Sequence, residues 1–184
     1  MSNKLCGIDE AGRGPLAGDL VIAGCILHKN IDGLNDSKKL SEKKREALYK
    51  LIIKDSTYHV VKFSPKEIDD NGISTCLKKG LMEIMDTISC DEYLFDGNSN
   101  FGVAGLLTMI KADGKVAEVS AASILAKVTH DRDILKEAEL YPEYQFERHK
   151  GYGTKLHVEM IKKHGYCKIH RRSYKLKALE PTLF

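Results

Sequence analysis

The chain has 184 residues, a formal net charge of +3 and an apolar fraction of 42%, which suits one compact domain over residues 1–184 with a core of its own. No apolar run is long enough to span a bilayer. The start, Met1-Ser2-Asn3-Lys4-Leu5, has no secretory apolar region, so a soluble cytoplasmic protein is expected. The mild positive charge permits a polyanionic partner without requiring one.

The first predicted strand, Lys4 to Ile8, runs directly into Asp9-Glu10 and a glycine-rich turn, Gly12-Arg13-Gly14-Pro15. A second apolar strand from about Leu20 to Leu27 suggests an antiparallel start. Asp36-Ser37-Lys38-Lys39-Leu40 reads as a polar loop. Ser41 caps a helix whose Ala47, Leu48, Leu51 and Ile52 share one face. Tyr58 to Phe63 reads as a third strand, and Ser64-Pro65-Lys66-Glu67 combines a cap, an N1 proline and an N3 glutamate, a helix start. After Asn71-Gly72 a second helical pattern carries Ile73, Leu77, Leu81, Ile84, Met85 and Ile88.

Glu92 to Phe95 is a short fourth strand ending on Asp96-Gly97-Asn98, and a fifth, around Leu106 to Ile110, leads to Lys111-Ala112-Asp113. A helix is predicted from about Ser120 to Ala138, with Pro142 barring its continuation. A last helix runs from about Thr154 to His164 and stops at Gly165. This order indicates an α/β domain on one mixed sheet. The cysteines Cys6, Cys25, Cys76, Cys90 and Cys167 form no Cys-x-x-Cys pair, and most sit in apolar segments, which points to buried reduced thiols.

Acidic side chains at the ends of apolar strands carry the chemistry. Asp9 and Glu10 follow the first strand, Asp96 the fourth and Asp113 the fifth. Strand ends hold functional groups rigidly while the loops leave room for a ligand. Carboxylates brought together raise one another's pKa, and a hard divalent cation such as magnesium or manganese relieves them. Any one of these aspartates equally reads as a turn residue. Asp9-Glu10 is the harder pair to dismiss, because a plain turn needs only one of them.

Polar partners lie near these acids in sequence. Glycines in Gly12-Arg13-Gly14 let a ligand approach backbone N–H groups, and Arg13 can fork to a phosphate; an ordinary turn fits the same residues. Lys38, Lys39, Arg171 and Arg172 are candidate phosphate contacts or plain surface charge. Tyr152, between glycines in His149-Lys150-Gly151-Tyr152-Gly153, can present its ring to a sugar or base or pack at a loop edge. Ser120 and Ser123 at a helix start offer a phosphate seat, although a cap explains Ser120 as well.

Together, in order and over nearly the whole chain, these stretches resemble type 2 ribonuclease H, the bacterial ribonuclease HII. The similarity is carried by residues 7–18 (GIDEAGRGPLAG), 36–40 (DSKKL), 96–98 (DGN), 111–113 (KAD), 120–128 (SAASILAKV), 149–154 (HKGYGT) and 170–173 (HRRS). The resemblance implies a ribonuclease H-like fold, a five-stranded mixed sheet flanked by helices with a C-terminal helical segment. It implies hydrolysis of RNA in RNA–DNA hybrids and incision 5′ of a ribonucleotide embedded in duplex DNA.

By the same resemblance, Asp9, Glu10, Asp96 and Asp113 are metal-binding catalytic carboxylates, Gly12, Arg13 and Gly14 sense the ribose 2′-hydroxyl, and Tyr152 packs on the sugar at the DNA–RNA junction. The chemistry expected is hydrolysis with two Mn2+ or Mg2+ ions, in-line attack by water, and 5′-phosphate and 3′-hydroxyl products. Arg13 in the sensing motif favours type 2 over type 3, whose enzymes differ there and carry an N-terminal extension. No C-terminal sliding-clamp tail and a monomeric state are expected. A non-catalytic nucleic-acid binding module on the same fold is the rival from another class.

Overall fold

The computed structural model describes residues 4–175; the expectations about a secretory start and a clamp-binding tail fall outside them. β1 (Leu5–Ala11) and β2 (Leu20–Leu27) are nearly continuous apolar runs, which requires cover on both faces of the sheet. β2 shows how this is met. Leu20 and Ile22 face one cluster with Phe63, Leu77, Leu81 and Ile84, whereas Val21, Ala23 and Cys25 face another with Leu48, Ile52, Ile124 and Leu125.

With β3 (Ser56–Phe63), β4 (Glu92–Asp96) and β5 (Leu106–Met109), the strands form one five-stranded sheet in the order β3-β2-β1-β4-β5. β1–β2 and β2–β3 are antiparallel, while β1–β4 and β4–β5 are parallel. This is the mixed sheet the sequence implied. β1 extends three residues past the predicted Ile8, because Asp9, Glu10 and Ala11 keep their antiparallel partners Ala23, Ile22 and Val21. The acidic pair therefore lies within the strand rather than after it.

α1 (Glu42–Lys54) lies on one face of the sheet, and α2 (Pro65–Asn71) and α3 (Ile73–Thr87) on the other. Ser64 forms the expected capping box with Glu67. The long α4 (Ala117–Leu140) packs flush on β1: a Cβ at Gly7 would lie 2.2 Å from the Val119 amide nitrogen, so only glycine allows this approach. α4 begins three residues before the predicted Ser120, with Val116 as its cap, so Ser120 sits inside the first turns. α5 (Phe146–His149) was not anticipated; it precedes α6 (Lys155–His164), which Thr154 caps.

Cys6, Cys25 and Cys76 are buried, Cys90 and Cys167 are partly exposed, and all five are free. No helix among the described residues is long and apolar enough to cross a membrane.

Candidate active site

β1 and β4 are neighbouring parallel strands paired through Ile8 and Phe95. The next residue on each is an aspartate, so the pairing itself sets Asp9 beside Asp96. Asp113 reaches them from a 3-10 turn, Ala112–Gly114, entered through a left-handed Lys111 at φ 59°. It is not a strand-end residue, because β5 stops at Met109. The turn is tied down by its neighbour, since the Ala112 amide donates to Asp96 Oδ1 at 2.7 Å. Asp9, Asp96 and Asp113 each offer an oxygen within 4.8 Å of the others.

Glu10 lies beside this triad. Its amide donates to Asp9 Oδ1 at 2.8 Å, Arg13 stands 3.7 Å from its Oε1, and its buried Oε2 has no hydrogen-bond partner. An open cleft of about 470 Å³, lined by Asp36, Lys38, Lys39, Asp96, Lys111 and Asp113, opens onto the acids. All the convergent donors are carboxylate oxygens, the set that fits a hard divalent cation. The orphaned Glu10 oxygen marks a further position where a cation would satisfy the protein.

The electrostatics agree with this fit. Burial raises the pKa of Asp9, and the nearby Glu10 and Asp96 charges add to it, against hydrogen bonds from Ser123 and the Glu10 amide. Burial also raises Glu10, with Asp96 reinforcing and Arg13 and Lys38 opposing. Asp113 is raised by burial and by the charges of Asp96 and Asp36. Burial works against the Lys38 charge, but Asp9, Asp36 and Asp113 outweigh it and raise the lysine above its ordinary range. Excess negative charge held away from water is what a divalent ion neutralises.

The other predicted residues divide. Gly12 adopts φ 83° at the end of β1, and Arg13 and Gly14 are exposed beyond it. Lys38 stands among the carboxylates through a 3-10 turn capped by Asp36, which accepts from the Lys38 amide at 2.9 Å. Tyr152 is half-exposed, with Lys127 Nζ 5.6 Å from its ring centroid and the His130 ring beside it. Ser123 is buried and hydrogen-bonded to Ser37 at 2.9 Å. Ser120 donates to the Asp113 carbonyl and is 4% exposed, so it buttresses the turn that carries Asp113 and has no surface on which to seat a phosphate.

Arg171 corrects the expectation of a phosphate contact. It is 1% exposed, and its guanidinium is spent on the carbonyls of Gly18 and Arg13. Two contributors were not singled out from the sequence. Asp36 acts as a fifth carboxylate beside Asp113. Asp131 accepts from Lys127 at 2.7 Å and bonds the His130 ring at 3.1 Å, behind Tyr152. The spacing of Lys127 and Asp131 by four residues on α4 was the available signal.

A central parallel strand pair that delivers aspartates to one oxygen-rich, cation-ready cleft defines a ribonuclease H-like hydrolase. The ribonuclease HII family model matches residues 6–177, and the chain belongs to that family. It is similar to ribonuclease HII of Sulfurovum sp., 65% identical over 184 residues, covering 100% of this chain and 98% of that protein. The fold is similar to ribonuclease HII of Archaeoglobus fulgidus, solved in complex with PCNA, at TM-score 0.81 and 29% identity, covering 95% of this chain and 96% of that one. Ribonuclease H2 of Pyrococcus horikoshii aligns at TM-score 0.78 and 32% identity, covering 94% of each chain. The protein is thus a ribonuclease H, an enzyme of the class that cleaves RNA in RNA–DNA hybrids with divalent metal.

Proposed function

We propose that this enzyme, acting as a cytoplasmic monomer of one domain, incises duplex DNA 5′ of a single embedded ribonucleotide as well as hydrolysing continuous hybrids. It uses two Mn2+ or Mg2+ ions held by Asp9, Glu10, Asp96 and Asp113, and leaves 5′-phosphate and 3′-hydroxyl ends. The observation that carries the reading is the triad of carboxylate oxygens within 4.8 Å, built from β1, β4 and the Asp113 turn.

Bound divalent ions supply water activation and neutralise charge on the departing 3′ oxygen. The chain's own residues supply placement. Asp9 and Asp96 are fixed by strand pairing, and Asp113 by the Asp96–Ala112 hydrogen bond. Lys38, its charge reinforced by the acids, offers a cation to the phosphate entering the cleft. The backbone amides of Gly12 to Gly14, at the end of the strand that carries Asp9, meet the ribose 2′-hydroxyl. A site built to bond a hydroxyl rejects a sugar that lacks it. The half-exposed Tyr152 ring packs on the deoxyribose beyond the junction.

An incision assay on a duplex with one ribonucleotide, with magnesium or manganese and a chelator control, tests this. Metal-dependent cutting on the 5′ side of the ribonucleotide is expected. Cutting of continuous hybrid alone would restrict the enzyme to hybrids, as in type 3 enzymes, and metal-free binding without cleavage would leave only a binding module.

A further inference from the structure

His170 and Arg171 are consecutive, and each holds a different one of the two elements assigned above to reading the substrate. Arg171 Nε and Nη2 donate to the Gly18 carbonyl at 3.0 and 2.7 Å, and Nη1 donates to the Arg13 carbonyl at 3.3 Å. The Tyr174 hydroxyl donates to the same Arg13 carbonyl at 2.7 Å. That carbonyl belongs to the peptide unit that carries the Gly14 N–H. In a planar trans peptide the two point in opposite directions. Donors that pull the Arg13 carbonyl toward the buried guanidinium therefore turn the Gly14 N–H outward.

The second arm is a hydrogen-bonded pair of imidazoles. The Cys167 amide donates to His170 Nδ1 at 2.9 Å, the Nε2 atoms of His170 and His157 are 3.0 Å apart, and His157 Nδ1 is 3.0 Å from the Tyr152 carbonyl. The ends fix the polarity, because an amide only donates and a carbonyl only accepts. His170 must present a lone pair at Nδ1 and a proton at Nε2. His157 must accept at Nε2 and donate from Nδ1 to Tyr152. Both rings are neutral, in opposite tautomers, and the relay ends on the backbone of the residue whose ring is exposed.

The arms meet in the backbone. The Arg171 amide donates to the Leu16 carbonyl and the Leu16 amide to the Gly151 carbonyl, each at 2.8 Å. A Cβ at Gly151 would lie 2.4 Å from the Ala17 carbonyl oxygen, so the two segments lie in direct contact. We infer that the segment Cys167 to Tyr174 is a strap that locks the ribose-reading loop and the sugar-packing tyrosine into one unit. Arg171 and Tyr174 position the Arg13–Gly14 peptide, and His170 and His157 position Tyr152. This rests on the roles given to those elements under the proposed function.

Tyr174→Phe is the gentle test, since it removes one donor from the Arg13 carbonyl and no buried carbon. Three readings on the full chain are taken: the melting temperature, amide hydrogen exchange over residues 13–18, and the ratio of one-ribonucleotide incision to continuous-hybrid cleavage. The melting temperature should hold while exchange quickens and the ratio falls roughly threefold to tenfold, the weight of one hydrogen bond. Ring 15N shifts of the parent should show His157 protonated at Nδ1 and His170 at Nε2. Unchanged exchange and ratio, or the same tautomer in both rings, overturns the strap. A parent that cuts hybrids but never single ribonucleotides overturns the substrate reading instead, and the exchange and tautomer results still decide the strap.

Discussion

The Ala112 amide donates to Asp96 Oδ1 at 2.7 Å across a separation of 16 residues, so one carboxylate of the site also anchors the turn that delivers another. An asparagine at this position keeps an acceptor for Ala112 and loses the negative charge. Asp96→Asn should therefore leave the melting temperature nearly unchanged while cleavage falls at least about 10²-fold, as when a main electrostatic stabiliser is removed. Steady-state assays on a hybrid substrate beside thermal melts check both halves. Near-normal turnover in the purified variant would remove Asp96 from the chemistry.

Asp9 makes the opposite trade visible. Burial raises its pKa, and Glu10 and Asp96 add to the repulsion, so the metal-free fold gains stability when the group is protonated and loses it as pH rises through the folded pKa. Asp9→Asn should melt higher than the parent in chelator at neutral pH and be inactive. Magnesium or manganese should stabilise the parent, by about 2.7 kcal/mol at a hundred times its dissociation constant, and stabilise the variant much less. Equal metal-induced shifts in the two proteins would place the ion elsewhere.

The sequence made the strands and the acids Asp9, Glu10 and Asp96 legible for a physical reason. Continuous apolar runs end in acids, and Ser64-Pro65-Lys66-Glu67 spells its cap in full. What stayed hidden depended on contacts between distant residues. Nothing near Arg171 in sequence says that Gly18 and Arg13 will surround its guanidinium, so its surface reading was reasonable and wrong. Ser120 looked like a cap because Ala117 to Val119 carry no start signal; packing of α4 against Gly7, rather than a cap, sets that end. Asp36 read as a loop acid until the fold brought it to Asp113.

Tyr152 tests the junction reading. The residue is 38% exposed, with its ring beside His130 and Lys127. Tyr152→Ala should barely change stability. Incision at a single ribonucleotide should weaken by roughly 1–3 kcal/mol, the range for losing one aromatic stacking contact. Single-turnover rates on that duplex and on a long hybrid separate the outcomes, and equal losses on both would argue against a junction role.

The histidine pair predicts an acid limb. Burial holds His157 and His170 down to about 4, against an ordinary value of 6.5. Between those values the unfolded chain binds more protons than the folded one, so stability falls as pH falls. The contribution is complete above about pH 6.5 and gone below about pH 4, on the order of a few kcal/mol for the pair. His149 stacks on His157 and is lowered in the same direction by burial, whereas Asp9 and Asp113 pull the other way. The readout is therefore the difference between parent and His170→Gln in urea unfolding across that window. Parallel curves would mean that the native imidazoles take up protons as readily as the unfolded ones.

Arg171 and Arg13 together separate holding the site from meeting the substrate. Arg171 is buried and bonded to two carbonyls, while the Arg13 side chain is 53% exposed beside Glu10. Arg171→Ala strands the Gly18 carbonyl and opens a hole in the loop's support, so stability should drop by roughly 2–4 kcal/mol. The salt dependence of hybrid binding should not change, because no phosphate contact is lost. Arg13→Ala should do the reverse, keeping the melting temperature and reducing the slope of log affinity against log salt by about one phosphate's worth. Binding by fluorescence anisotropy over a salt series, with catalysis blocked by chelator, gives both slopes. A reduced slope for Arg171→Ala at full stability would return that guanidinium to the nucleic-acid surface.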